Sequence, residues 1–187
     1  MASDTRDRLV RSTTRLLRTQ GYAATGLNQI MAEADAPKGS MYFHFPGGKT
    51  ELAAAAVDRF AARSTERMRG YLAEHDTVAE AVVEIFDGYV GHLEKTAFSE
   101  GCAVANVALD AASTHPTLAE ATGRAMRLWV DVLAEGLEAE GRPADEAHGL
   151  ATLVIACIEG TVVMARGEQS SEPISTTRDM LRAVLAR

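Results

Sequence analysis

The sequence is poor in the residues that mark several classes of protein. Only two cysteines occur among 187 residues, Cys102 and Cys157, too few for a disulfide framework. No CxxC pair or His/Cys cluster has metal-ligand spacing, so neither a metal nor a cofactor is expected. Aromatic residues make up 5% and prolines number five, and no period-2 run stands out as a strand. The longest nearly uninterrupted apolar stretch, Leu150 to Ile158, falls short of the roughly 20 residues of a spanning helix. The N-terminus has acids among its arginines and no apolar signal core. The expectation is a cytoplasmic protein that does not engage a membrane. What is present is 47% apolar and 24% charged residues, the balance of a globular chain.

Charge is unevenly placed within a total of −7. Residues 1–70 carry 11 Lys/Arg against 7 Asp/Glu, whereas residues 71–187 carry 8 against 19. A basic head that meets a polyanion, joined to an acidic body, is one reading; a fluctuation of solvated charge is the other. Leu9, Thr13, Leu16, Leu17 and Gln20 form one face of a first helix, and Arg8, Arg11, Arg15 and Arg18 the opposite one. Gly21 can end it. A short helix follows from Thr25, a candidate N-cap, to Ala34, and Asp35-Ala36-Pro37 stops it. A second short helix spans Lys38 to Phe45, Pro46-Gly47-Gly48 breaks it, and a long helix starts near Lys49. Two short helices across a tight turn, braced by an amphipathic one, make a helix-turn-helix whose second helix enters the major groove.

Helical stripes then continue to the end of the chain. They comprise Leu52 to Leu72; Val78 to Leu93; Cys102, Asn106 and Leu109; Leu118 to Leu137; a helix at about 145–166; and a last one around Met180 to Leu185. The expected fold is all-α, with a DNA-binding domain at 1–48 and a helical effector-binding and dimerisation domain at 49–187. The run Leu150 to Ile158 is apolar nearly all round, so it must be covered on every side. It is either a central core helix or a seam between two copies, and a homodimer through about 145–166 and 175–187 suits a protein that reads paired half-sites.

Thr25-Gly26-Leu27-Asn28-Gln29-Ile30, Pro37-Lys38-Gly39-Ser40-Met41-Tyr42-Phe43-His44-Phe45, Lys49 and Leu52 together resemble the signature of the tetracycline-repressor (TetR) family. The likeness covers about residues 8–55. Phe45-Pro46-Gly47-Gly48-Lys49 and the segment from Gly101 to Asp110 look like its lincomycin-resistance-repressor branch, in which the lysine stands one residue later than in the common pattern. The resemblance implies a DNA contact set of Thr25, Asn28, Lys38, Gly39, Ser40, Tyr42, His44 and Lys49. Lys38 can reach guanine acceptors or a phosphate, Gly39 lets the helix lie close to base edges, and Ser40 suits either kind of base. Tyr42 and His44 match phosphate-contacting positions; Thr25 and Lys49 sit at helix starts that favour a phosphate. Asn28 could face a base or a phosphate. Each also has a local reading as cap, core or solvated residue.

In this family the body resembles a helical cage around a small effector. Met68, Phe86, Tyr89, His92, Cys102, Asn106, Trp129 and Cys157 are the candidate lining, mostly apolar with a few polar groups. The implied function is a repressor that binds an inverted-repeat DNA operator as a dimer and is released by a small apolar or aromatic effector. The alternatives are a DNA-binding regulator without an effector, or a cysteine-based redox sensor. An enzyme is not expected. Gly48-Lys49-Thr50 mimics the end of a P-loop, but Phe43 stands where its first glycine must be, and no nucleophile–base constellation is signalled.

Overall fold

Nine α-helices and no strand occur among the described residues, 2–37 and 39–186 of the computed structural model. The helices are α1 (Ala2–Gln20), α2 (Leu27–Glu33), α3 (Ser40–His44), α4 (Gly48–Glu74) and α5 (Val78–Lys95), followed by α6 (Ala103–Ala111), α7 (Pro116–Ala139), α8 (Ala144–Glu168) and α9 (Glu172–Leu185). The all-α reading of the sequence holds. Lys38 lies outside the described residues, so its expected place at the head of the recognition helix has no structural counterpart here.

The chain divides into two compact units. The first comprises Met1–Ala62 with Cys102–Ala125, the second Arg63–Gly101 with Met126–Arg187. This division by compactness differs from the division by role expected at 48/49. The first unit takes in the start of α4, all of α6 and the start of α7. It also changes the charge picture: the first unit holds nine Lys/Arg against eight Asp/Glu. Arg63, Arg67 and Arg69, which made the first 70 residues look basic, belong to the second unit.

In the first unit α1 packs against α2, α3 and α6. Its buried face is Leu9, Val10, Thr13, Leu16 and Leu17; the periodic stripe omits Val10 and runs on to Gln20, which is half-buried. Gly21, at φ +74, ends it in a left-handed turn that favours glycine. The α6 stripe is a correction. Ala103, Val104, Val107 and Ala111 are its buried face, while Leu109, expected beside Cys102 and Asn106, is exposed. Small alanines pack inward because α6 lies close to α1, and a branched leucine at 109 points away.

In the second unit α5, α8 and α9 pack on one another. Thr77 caps α5, its hydroxyl accepting the Glu80 N–H at 3.3 Å, and the Glu140 carboxylate accepts the Val78 N–H. Helix α9 starts at Glu172, earlier than the short helix expected around 180, because Pro173 fits a first turn whose N–H groups have no intrahelical partner. Helix α8 corrects only the reading that no stretch is long enough to span a bilayer. Over its 25 residues an 18-residue window reaches a mean hydropathy of 1.7, enough by length and composition to cross a bilayer, because glycines, alanines and threonines extend the apolar run. A core helix of a soluble protein passes the same test.

Two glycines of this unit differ in what an added methyl would meet. At Gly136 a Cβ would stand 2.9 Å from Cγ2 of Val78, whereas at Gly70 nothing lies within 4 Å. Val78 is buried and stiff at χ1. Helix propensity gains about 1 kcal/mol in either Gly→Ala change, but overpacking costs about 1–3 kcal/mol. Gly70→Ala is therefore expected to raise the urea midpoint and Gly136→Ala to lower it; equal gains in both would contradict this packing.

Candidate nucleic-acid interface

The helix α3 has five residues, too few to stand alone. Met41 and Phe45, four apart, are its anchors, each 1% exposed. Arg6 lies over the Phe45 ring, 5.0 Å from its centroid. With those two faces fixed inward, Tyr42 is 60% and Phe43 77% exposed. The half-buried His44 packs its ring edge-on against Phe43, with centroids 5.0 Å apart. The Tyr42 ring reaches the start of α4, where a Cβ on Gly48 would lie 3.8 Å from it. Gly39 is exposed, and a Cβ there would meet nothing within 4 Å. Ser40 is half-buried, and its hydroxyl donates to the Pro37 carbonyl at 2.7 Å, which leaves it an acceptor toward a base. Asn28 is exposed on α2.

Two expected contacts are placed differently. Thr25 is 1% exposed, its hydroxyl donates to Gly21 O at 2.5 Å, and its N–H is bonded to Tyr22 O at 3.2 Å. It is neither the α2 cap, a place taken by Gly26, nor a free donor for phosphate. The Lys49 ammonium sits 4.1 Å above the Tyr22 ring, a cation–π geometry. Burial holds its pKa below the ordinary lysine value, and the Asp110 carboxylate partly offsets this. The α4 start is also occupied from within: the Glu51 carboxylate accepts the Gly47 N–H at 2.7 Å, and the Gly48 N–H bonds Phe45 O. The additional glycine, at φ +72, turns Lys49 toward Tyr22 instead of outward.

The arginine face of α1 is largely paired. Arg8 meets Asp4 at 3.3 Å, Arg11 meets Asp7 at 3.1 Å, Arg15 meets Glu33 at 2.5 Å, and Arg18 lies over Phe60. Surface pairs of this kind add little stability, but they reduce the positive field of α1.

Residues 9–56 match the family described as bacterial regulatory proteins, tetR family, and residues 78–180 match the C-terminal domain of LmrA/YxaF-like transcriptional regulators. The HTH-type transcriptional regulator LmrA of Bacillus subtilis is 33% identical over 171 residues, covering 91% of each chain. An HTH-type transcriptional regulator of Mycobacterium tuberculosis is 32% identical over 186 residues, covering 96% of this chain and 93% of that one. The crystal structure of a TetR transcriptional regulator from Chloroflexus aurantiacus superposes with a TM-score of 0.84 at 30% identity, covering 100% of this chain and 96% of that one. The chain belongs to the TetR family. It is a DNA-binding transcriptional regulator, not an enzyme, with the LmrA/YxaF-like C-terminal domain that the Gly101 to Asp110 segment resembled.

The candidate effector residues of this TetR-family chain fall in both units. Met68, Phe86 and Trp129 are buried in the second, and Tyr89, His92 and Cys157 are half-buried there. Nε2 of His92 lies 3.1 Å from a Glu100 carboxylate oxygen, and burial raises the Cys157 thiol pKa. Cys102 and Asn106 belong to the first unit, where the side chains of both make contacts to backbone. The Asn106 amide donates to Leu17 O at 2.9 Å and Arg18 O at 3.0 Å, closing the last turn of α1. Cys102 is buried, and its Sγ accepts the Ala105 N–H at the start of α6. A buried cysteine and one whose thiolate is disfavoured do not suit a reactive sensor.

Sequence reasoning missed Phe43, whose exposure follows from the Met41/Phe45 spacing, and Asp110. The Asp110 carboxylate accepts the Ala23 N–H at 3.0 Å and fills the space beside Gly21, where a Cβ would be 2.6 Å away. No local pattern could pair residues 87 apart in sequence. Since Lys49 faces Tyr22, Lys49→Ala is expected to leave the slope of log affinity against log salt unchanged. A reduction by about one unit would place its ammonium on a phosphate.

Proposed function

We propose that this regulator is a homodimeric repressor that holds an inverted-repeat operator with paired α3 helices and is released by a small apolar or aromatic effector. The outward presentation of Tyr42 and Phe43 beside the open Gly39, on a helix anchored by its other side chains, carries the DNA part of this reading. Asn28, Ser40, Tyr42 and His44 are the proposed contacts, with Lys38 added from the sequence signature. CifR, which shares this fold with a TM-score of 0.74 at 20% identity, has been crystallised with 26 bp double-strand operator DNA.

The dimer is supported by the outer face of α8. Leu153, Val163 and Met164 are exposed there, with Ala156 and the glycines 149, 160 and 167, and Met180 is exposed on α9. A Cβ on any of those three glycines would meet nothing within 4 Å. An apolar stripe this small in relief lets a second α8 approach closely and bury it. A repressor working in the cytoplasm is the corresponding setting.

The effector reading rests on Met68, Phe86, Tyr89, His92, Trp129 and Cys157 in the second unit, apolar walls with few polar groups. Helices α4 and α7 each run from one unit into the other, so a shift in the second is carried along continuous backbone. Over 27 residues α4 is about 40 Å long. Coupling is reciprocal, so operator should weaken effector binding by the factor by which effector weakens operator binding.

Selection of bound duplexes from a random pool tests the reading and is expected to return an inverted repeat. Val163→Asp, by charging the α8 face, should give monomers in sedimentation equilibrium at micromolar protein and lower duplex affinity at least tenfold. A wild-type monomer, or a single unrepeated half-site, would overturn the proposal.

A further inference from the structure

An aromatic ring 77% exposed beside the buried Phe45 is either an unexplained cost or a contact in waiting. Phe43 is the most exposed large apolar side chain of α3, and the His44 ring stands edge-on to it, centroids 5.0 Å apart at 82°. Gly39 lies four residues before it, on the same side of the helix, and side chains of a helix lean toward its N-terminus. That lean would carry a ring toward residue 39, yet a Cβ at Gly39 would meet nothing within 4 Å. Bare, open backbone and a flat apolar ring therefore lie on the same side of α3. Neither Phe43 nor Gly39 can donate or accept through a side chain, so what they select is shape and apolarity.

In the major groove one base edge offers an apolar group, the C5-methyl of thymine, and phenylalanine suits contact with it. We infer that Phe43 and Gly39 form a thymine-methyl reader, with the ring against the methyl and the glycine giving the backbone its close approach to the base edge. This rests on α3 being the groove-entering helix. Phe43 then sets sequence preference without any hydrogen bond, which distinguishes it from Tyr42 and His44 as proposed backbone contacts. The chemistry is one methyl group. Its burial is worth about a fourfold change in affinity, whereas loss of a phosphate contact would be felt on every duplex alike.

The test replaces single thymidines by deoxyuridine, which lacks only that methyl, through a duplex selected by the wild-type protein from a random pool. Affinities for wild type, Phe43→Ala and Phe43→Leu are read by fluorescence anisotropy at fixed salt. The wild type should lose about fourfold at one thymine per half-site and nothing elsewhere. Phe43→Ala should show under twofold discrimination at that position, and Phe43→Leu an intermediate value. Because Phe43 is exposed, both variants should match wild type in thermal unfolding, which separates loss of reading from loss of fold. A selected site without thymine in the half-site core, a flat deoxyuridine scan, or equal discrimination by wild type and Phe43→Ala would each overturn the inference while leaving duplex binding itself in place. If the wild type selects no duplex at all, the reading of α3 as the groove helix fails first.

Discussion

Burial of Met41 and Phe45 is the constraint on which the interface depends. A five-residue helix gains too little from its own hydrogen bonds to persist, so α3 exists because two side chains one turn apart are locked into the core of the first unit. The same lock decides what is left outside. Tyr42 and Phe43 have no inward direction available, and Gly39 leaves open backbone at the start of the helix. The interface is therefore a by-product of core packing more than of surface charge.

Electrostatics plays a smaller part than the chain suggests at first sight. The arginines of α1 are largely matched by Asp4, Asp7 and Glu33, and Lys49 is drawn to Tyr22. Helix α6 has the opposite importance. It is distant in sequence, yet Asn106 closes the end of α1 and Asp110 holds the turn that follows it. The corner from which α2 departs is built partly by residues that follow α5, so the first unit is not completed by the amino-terminal residues alone.

Helix existence was legible throughout, because the stripes of α1, α5 and α7 repeat at 3.6 residues and most breaks carry glycine or proline, the one before α5 being marked by the capping Thr77 instead. The signature from Thr25 to Leu52 was legible as well, and the family follows from it. Side-chain direction was not. Thr25 before a helix reads as a cap, but the turn that ends α1 takes its hydroxyl back to Gly21. Lys49 after two glycines reads as outward, but φ at Gly48 turns the chain. Asn106 reads as a pocket residue because it is polar among apolar neighbours; the polar partners that satisfy it lie 88 and 89 residues away. For Thr25 and Lys49 the local backbone sets the direction of the side chain, and for Asn106 a long-range contact does.

The most direct test of this account is dimethyl sulfate and hydroxyl-radical footprinting of the wild-type protein on a duplex it has selected. The account predicts two protected major-groove patches on one side of the duplex, with centres about 34–36 Å apart. Protection confined to the minor groove, or a single patch with no companion one turn away, would contradict it.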